Sequence, residues 1–564
     1  MKVFVKGKGE VNLNKSDFVA SGGEGEIYRK SRTAFKIYTG QTKCLPYAKI
    51  QDLSAITDKN VIAPKELVLN SKNKPIGYTM RHISNTYALC QIFTKAFKTR
   101  NNVTPDIMLE LVKKMQKTIA HIHSKGILIV DLNEMNFLVD KQLKDIYFID
   151  VDSYQTKNFP ATAIMPSIRD RHNKSFNQMT DWFSFGIVSF QMFIGIHPYK
   201  GKHPILKTLD ERMMANMPVF HKDVNYPRVC MPFDYIPEAY RDWYKAIFHR
   251  GERIAPPTAA NAMCFIPVIP VLIRSNSSFD IKELRSYAGD VVKCLAINGT
   301  KVVTTSDNWI YVNGVKEINT SLTNIAVTPQ QNRVMACGLE FKDVDETGSL
   351  KIWDITRDEE VACNISGEDI MSYDGRVYVK QESTLSEVGF IELRDKVLVS
   401  LRAVANIQEN ATKLFDGVVI QNVLGSCVAS VLPKSNTCYQ ILLPEMKGYQ
   451  IIEAKYDKNV LIIIANKKGK YDKFIFTLSD DFKTYETRKV DNIVYSGINF
   501  TVLDNGVVVH VNENEEIEIF VNQIGKNKIK VIDSSSIKGD MRLFHDGVKV
   551  LFSEKDKVYR IQMK

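Results

Sequence analysis

Ile129 to Tyr154 reads IVDLNEMNFLVDKQLKDIYFIDVDSY. Asp131 is followed five residues on by Asn136, and fourteen beyond that by Asp150. The acidic and amide groups follow apolar, strand-like runs. A short loop between two small strands would therefore present all three to one point. An isolated D-x-x-x-x-N is common in surface turns, so its meaning depends on what surrounds it.

Upstream lies Ala20-Ser-Gly-Gly-Glu-Gly-Glu-Ile27. Gly22, Gly23 and Gly25 would let backbone N–H groups approach an anion with no Cβ in the way. Thr33-Ala-Phe-Lys-Ile37 follows as a strand carrying Lys36, by itself an ordinary solvated lysine. Downstream, Thr180-Asp-Trp-Phe-Ser-Phe-Gly186 opens an apolar helix that runs to Ile194. Asp181 alone would read as a helix cap.

In this order and spacing the stretches resemble the glycine-rich loop, the V-A-I-K strand, the catalytic and metal-binding loops and the D-x-W-S-x-G helix of protein kinases, across about residues 10–260. Asp131-Leu-Asn-Glu-Met-Asn136 and Ile149-Asp-Val-Asp-Ser-Tyr154 are similar to the D-L-N-E-x-N and I-D-V-D-S-F/Y signatures of bacterial or phage eukaryotic-like Ser/Thr kinases. The branch in question includes the helix-hairpin-helix-associated and tellurite-resistance-associated kinases. Ala63 to Val68 and Gly77 to Met80 resemble it too.

The resemblance implies an α+β bilobal kinase-like domain over 1–262, with an N-lobe of about 1–82 and a C-lobe of about 83–262. It implies ATP with Mg2+ or Mn2+ as cofactors. Asp131 would orient the attacking hydroxyl, and Asn136 and Asp150 would hold the metal, with Asp152 as a further carboxylate. Lys36 would reach the nucleotide phosphates. Gly22, Gly23, Gly25, Ile27, Ala34 and Leu138 would surround the nucleotide, and Asp181 would hold the catalytic loop in shape.

The departures from the pattern are specific. Ala20 replaces the first glycine, Asn133 a common lysine, and Asp152 the glycine after the metal-binding loop's start. Ile129-Val130 stands where most kinases have His-Arg, so no arginine waits there for an activation-segment phosphate. No Ala-Pro-Glu occurs; Arg169-Asp170-Arg171 stands near its place. Residues 41–65 contain no Glu, so the usual helix partner of Lys36 is missing. Asp52 and Gln51, in a helix expected around Pro46 to Ile56, are the candidates. Three readings stand: an active Ser/Thr protein kinase moving the ATP γ-phosphate to a protein hydroxyl, a pseudokinase scaffold, and a small-molecule phosphotransferase.

At 564 residues, 44% hydrophobic and 25% charged, the chain is an ordinary globular protein of two or three domains. The net charge of +11 is uneven. Residues 1–270 hold 38 Lys and Arg against 24 Asp and Glu, and residues 271–564 hold 37 against 40. The basic residues are spread out, so a nucleic-acid partner is weakly supported against a solvated surface. No apolar run reaches the ~18 residues of a membrane span. The N-terminus reads as a first strand and lacks the apolar core of a signal peptide. Nine scattered Cys with no C-x-x-C point to a reducing, cytoplasmic setting, or to a virion if the chain is phage-borne, and away from zinc.

After an apolar, Pro-containing linker at 263–277, residues 278–564 change character. Short Val-, Ile-, Tyr- and Phe-rich runs alternate with Asn, Asp and Gly turns, as in Lys301-Val-Val-Thr-Thr305 and Gly348-Ser-Leu-Lys-Ile-Trp-Asp354. They recur every ~40 residues, the period of propeller blades. The expectation is an all-β, seven-bladed, WD40-like propeller, with Asp280 to Tyr287 supplying the strand that the last unit lacks. A pair of β-sandwiches is the alternative. With no catalytic cluster in it, this half is expected to fold by itself and to bind a protein substrate or complex.

Overall fold

Period-two alternation and tight turns build the first eighty residues into one antiparallel sheet. The computed structural model describes residues 1–40, 42–161, 163–258, 278–341, 346–526, 528–532 and 541–564. The strands are β1 (Lys2–Val5), β2 (Gly9–Asn12), β3 (Phe18–Ser21), β4 (Gly25–Lys30), β5 (Thr33–Tyr38), β6 (Leu67–Leu69) and β7 (Pro75–Arg81), in the order β2-β1-β6-β7-β5-β4-β3. Gly25 pairs with Tyr38 across β4 and β5. A Cβ at Gly25 would lie 2.4 Å from the Ile37 carbonyl oxygen, so here the strands close only over glycine. The helix expected at Pro46 to Ile56 is shorter: α1 spans Tyr47–Leu53.

The following segment is helical. After α2 (Lys95–Arg100), α3 (Pro105–Ser124) starts with the Thr104 side chain accepting the Ile107 N–H and with Pro105 in its first turn. It buries Met108, Leu111, Val112, Met115, Ile119 and Ile122, the i, i+3, i+4 face that its sequence predicts. α4 (Gln178–Ile194) is buried on nearly every side, as its apolar sequence demands, and ends on Gly195 at φ 86°. A further helix runs Glu238–Tyr244 and then widens into a π-turn at Lys245–His249. Among the described residues no helix is long and apolar enough to cross a membrane. The 263–277 linker lies outside the described residues.

The described residues between 279 and 563 form seven separate antiparallel sheets. Six follow chain order, starting at Val291, Asn324, Asp369, Thr412, Gln450 and Phe500. The seventh joins Arg542–Asp546, Lys549–Glu554 and Lys557–Met563 to Phe279–Ser286, with Phe279 opposite Met563. The strand expected from the 280s thus completes the last sheet. Each sheet packs on the next through its own apolar cluster, from Val302 and Ile310 against Ile325 and Val334 to Phe279 and Leu543 against Val509 and Ile517. Val291 and Val303 with Val558 join the first sheet to the seventh. A cavity of about 1560 Å3 is lined by one strand of each of the seven sheets, Arg542–Asp546 in the seventh, and by residues 82–88 after β7.

The two halves share a core. Ile452, Ile464, Tyr471, Ile493 and Tyr495 belong to the same buried cluster as α3 and α4. Across the same face Gln91 Nε2 donates to Ile452 O at 2.8 Å, Lys141 pairs with Asp369 at 3.2 Å, and Arg29 pairs with Glu346. The expectation that 278–564 folds by itself did not include this interface, in which its apolar side chains share one buried cluster with α3 and α4.

Tyr471→Ala should lower the unfolding free energy of the full chain by about 3–5 kcal/mol, the usual cost of deleting a buried aromatic. Tyr471→Phe, which removes only the hydroxyl, should cost about 1–3 kcal/mol. Urea unfolding measures both. Hydrogen exchange in Tyr471→Ala should quicken in α3 and α4 as well as in 450–478; a change confined to 450–478 would show that the halves open separately.

Candidate functional site

Lys36, Asp131, Asn136 and Asp150 converge where the sheet meets the helical half. The backbone just before Asp131 is held by Asp181, near the start of α4, which has no solvent exposure. Its carboxylate accepts the N–H of Ile129 at 2.8 Å and of Val130 at 2.9 Å, and contacts His123 Nε2 at 2.9 Å. Asp181 is thus far more than a helix cap, and His123 is a packing partner. Val130 is held at φ 64°. That is a strained region for a β-branched residue, costing on the order of 1–3 kcal/mol.

The loop that follows places the polar groups. Asn136 Nδ2 donates to Asp131 O at 2.9 Å, so its amide oxygen is the atom left to ligate. Asn136 O accepts the Ile149 N–H at 3.0 Å, which ties the first loop to the second. Asp150 is left-handed at φ 58°, which turns its side chain out of the strand path. Burial pushes the Asp131 carboxyl above the usual range. Asp131 Oδ1 accepts the backbone N–H of Met165 at 2.7 Å, so a neighbouring segment already sits on this carboxylate. Burial, with the Asp152 charge, raises the Asp150 carboxyl to about 6 against the pull of Lys36.

Lys36 is buried and meets acids other than those expected. Its Nζ lies 2.9 Å from Asp150 Oδ1, 2.8 Å from Asp152 Oδ2 and 3.3 Å from Glu24 Oε2. Desolvation opposes its charge, but the two aspartates hold its pKa above the ordinary lysine value. Asp52 and Gln51 are not its partners, which corrects the sequence expectation. Asp52 Oδ2 accepts the Thr156 hydroxyl at 2.7 Å, and Gln51 is exposed. On a two-turn helix the inward position is Lys49, whose Nζ donates to Asp152 O at 2.6 Å.

Three carboxylates gather beside Lys36. Ligand oxygens of Glu24, Asp150 and Asp152 all lie within 4.8 Å of one another. The sequence reading missed Glu24, although it sits inside the glycine loop. Gly22 N donates to Gly25 O at 2.8 Å, which shapes that loop, and Gly22 and Gly23 are exposed. Ile27 stands opposite Lys36 on the paired strand, and Ala34 is buried two residues before it. Leu138 lines the large cavity. Asp170, near the place of the missing Ala-Pro-Glu, is buried against the Arg253 guanidinium at 2.5 and 2.6 Å. Glu134, between Asp131 and Asn136, is buried, and its Oε1 accepts the Tyr471 hydroxyl from the sheet half at 2.9 Å.

No protein-family model matches the chain. Protein kinase YegI of Escherichia coli O157:H7 is 21% identical over 338 residues, 52% of this chain and 51% of that protein. The cAMP-dependent protein kinase type 3 of Saccharomyces cerevisiae is 29% identical over 114 residues, 19% of this chain and 28% of that protein. A solved ROP18 kinase domain in complex with AMP-PNP and sucrose aligns over 45% of this chain and 79% of that one at 14% identity, with a TM-score of 0.33, an overlap too loose to identify a fold. The chain spans about half or less of the curated relatives it matches. In sequence it is distantly similar to protein kinases.

Proposed function

We propose that the chain is an ATP-dependent protein kinase of Ser/Thr type. The observation that carries this is the meeting of Lys36, Asp131, Asn136 and Asp150 around a loop that Asp181 holds rigid. In this reading Lys36 binds the α and β phosphates, while Gly22, Gly23 and Gly25 bring backbone N–H groups to the phosphate chain. Ile27, Ala34 and Leu138 flank the base. Asp150 and Asn136 hold a divalent cation, which when bound neutralises charge on the phosphate oxygens. Asp131 takes the hydrogen bond of the attacking hydroxyl on Oδ2, while the Met165 N–H sits on Oδ1.

We read the seven sheets as a closed propeller. Sheet-to-sheet packing that returns from the seventh to the first, and a cavity edged by one strand from each of the seven sheets, support it. Its role is to recognise a protein substrate or partner through its rim loops. The Met165 N–H on Asp131 favours a second reading, a scaffold that transfers no phosphate.

Labelled ATP, Mg2+ and a generic protein acceptor separate the two. The wild type should transfer label, and Asp131→Ala, Lys36→Met and Asp150→Ala should each fall by at least about 100-fold. A wild type that binds nucleotide yet transfers nothing decides for the scaffold.

Deleting 279–286 should unfold the seventh sheet while leaving β1 to β7 protected from hydrogen exchange, because the last sheet loses its partner strand and exposes an edge. Unchanged protection in 542–563 would argue against a closed ring.

A further inference from the structure

Lys36 has lost the helix carboxylate that kinases use, yet its ammonium is buried and paired. The four donors around Asp152 explain how. Its side chain is 5% exposed. Oδ2 takes Lys36 Nζ at 2.8 Å and the Tyr38 hydroxyl at 2.8 Å, and Oδ1 takes the Tyr78 hydroxyl at 2.7 Å. Its backbone carbonyl takes Lys49 Nζ at 2.6 Å. Tyr78 pairs with Lys36 across β5 and β7, and Tyr38 ends β5. The sheet therefore carries a socket of three donors for one carboxylate.

Asp150 is different. Its side chain is 36% exposed, and Lys36 is the ion-pair partner it shares with Asp152. A carboxylate with one protein partner can turn to a cation; one with three satisfied bonds in a buried socket cannot do so cheaply.

We propose that Asp152 is the standing anchor of Lys36, in place of a helix glutamate, and that Asp150 is the carboxylate released to the metal. The proposal rests on the phosphotransfer reading for what Lys36 does, and on geometry alone for what Asp152 does. Asp152 is a positioning residue: it acts on nucleotide through Lys36. The lysine is thereby tied to the second loop of the site, across the cleft, and not to a helix of its own sheet. The inward face of α1 carries Lys49, which grips the same loop. An ordinary pair would be rebuilt by moving the acid: Asp152→Gly with Lys49→Glu.

The test uses the full chain and two readouts. The first needs neither nucleotide nor metal: the rate at which an amine-acylating reagent labels Lys36, followed by peptide mass spectrometry. Asp152→Asn keeps the shape and the tyrosine contacts but removes the charge, and should raise Lys36 labelling several-fold. Asp152→Gly should do the same, and Lys49→Glu/Asp152→Gly should restore protection. The second readout is phosphoryl transfer, where Asp152→Asn should lower kcat by about 10- to 100-fold, as outer-shell partners do, with a smaller change in KM for ATP.

Unchanged Lys36 labelling in Asp152→Asn overturns the anchor. So does a wild-type kcat in that variant. If labelling rises as expected while the wild type transfers no phosphate, the anchor stands and the kinase reading falls.

Discussion

A carboxylate buried out of reach of water has to be met by donors, and Asp181 meets that demand with the backbone of the loop that carries Asp131. Two N–H groups and a histidine ring converge on it, and the bend they require puts Val130 into a conformation it would not choose. The strain is affordable because α4 is buried almost completely and cannot shift to relieve it. Asp131 and Asn136 take their places from that bend, and Asn136 passes it on to Ile149 and so to Asp150.

The seven-sheet half bears on the same loop. Tyr471 reaches Glu134, two residues before Asn136, and the Gly469 turn lies against Met165 and Ser167. Met165 in turn caps Asp131. The loop is thus gripped by α4 from one side and backed by a β-hairpin from the other. The shared apolar core from Ile452 to Tyr495 holds that hairpin in register with the site.

Much of this was legible in order and spacing. Lys36, Asp131, Asn136 and Asp150 are brought together by short loops, and a local pattern reads local geometry well. The sheet half was legible for the same reason, since turn residues mark each strand end and the strand from the 280s was the one the last unit lacked. What failed was non-local or belonged to the backbone. A helix of seven residues offers several faces, so Asp52 and Gln51 looked as eligible as any. The acid that Lys36 found lies 116 positions away, in a loop already assigned to the metal. The Met165 N–H leaves no trace in composition, because every residue but proline has one. The shared core looked like ordinary blade interior, since Ile and Tyr facing another half of the chain read the same as Ile and Tyr facing a neighbouring sheet.

The pairing of Phe279–Ser286 with Lys557–Met563 has a consequence for how the molecule is born. On the ribosome the early strand emerges long before its partner exists, and the helical half beside it already presents the apolar face that Ile452, Tyr471 and Tyr495 will cover. Until Lys557–Met563 is made that strand has an open edge, and until the fifth sheet is made that face is wet. A chain arrested before the fifth sheet would remain in this state, exposed to chaperones and proteases. That pairing therefore acts as a check on synthesis, since a chain that stops short of Lys557–Met563 leaves Phe279–Ser286 unpaired.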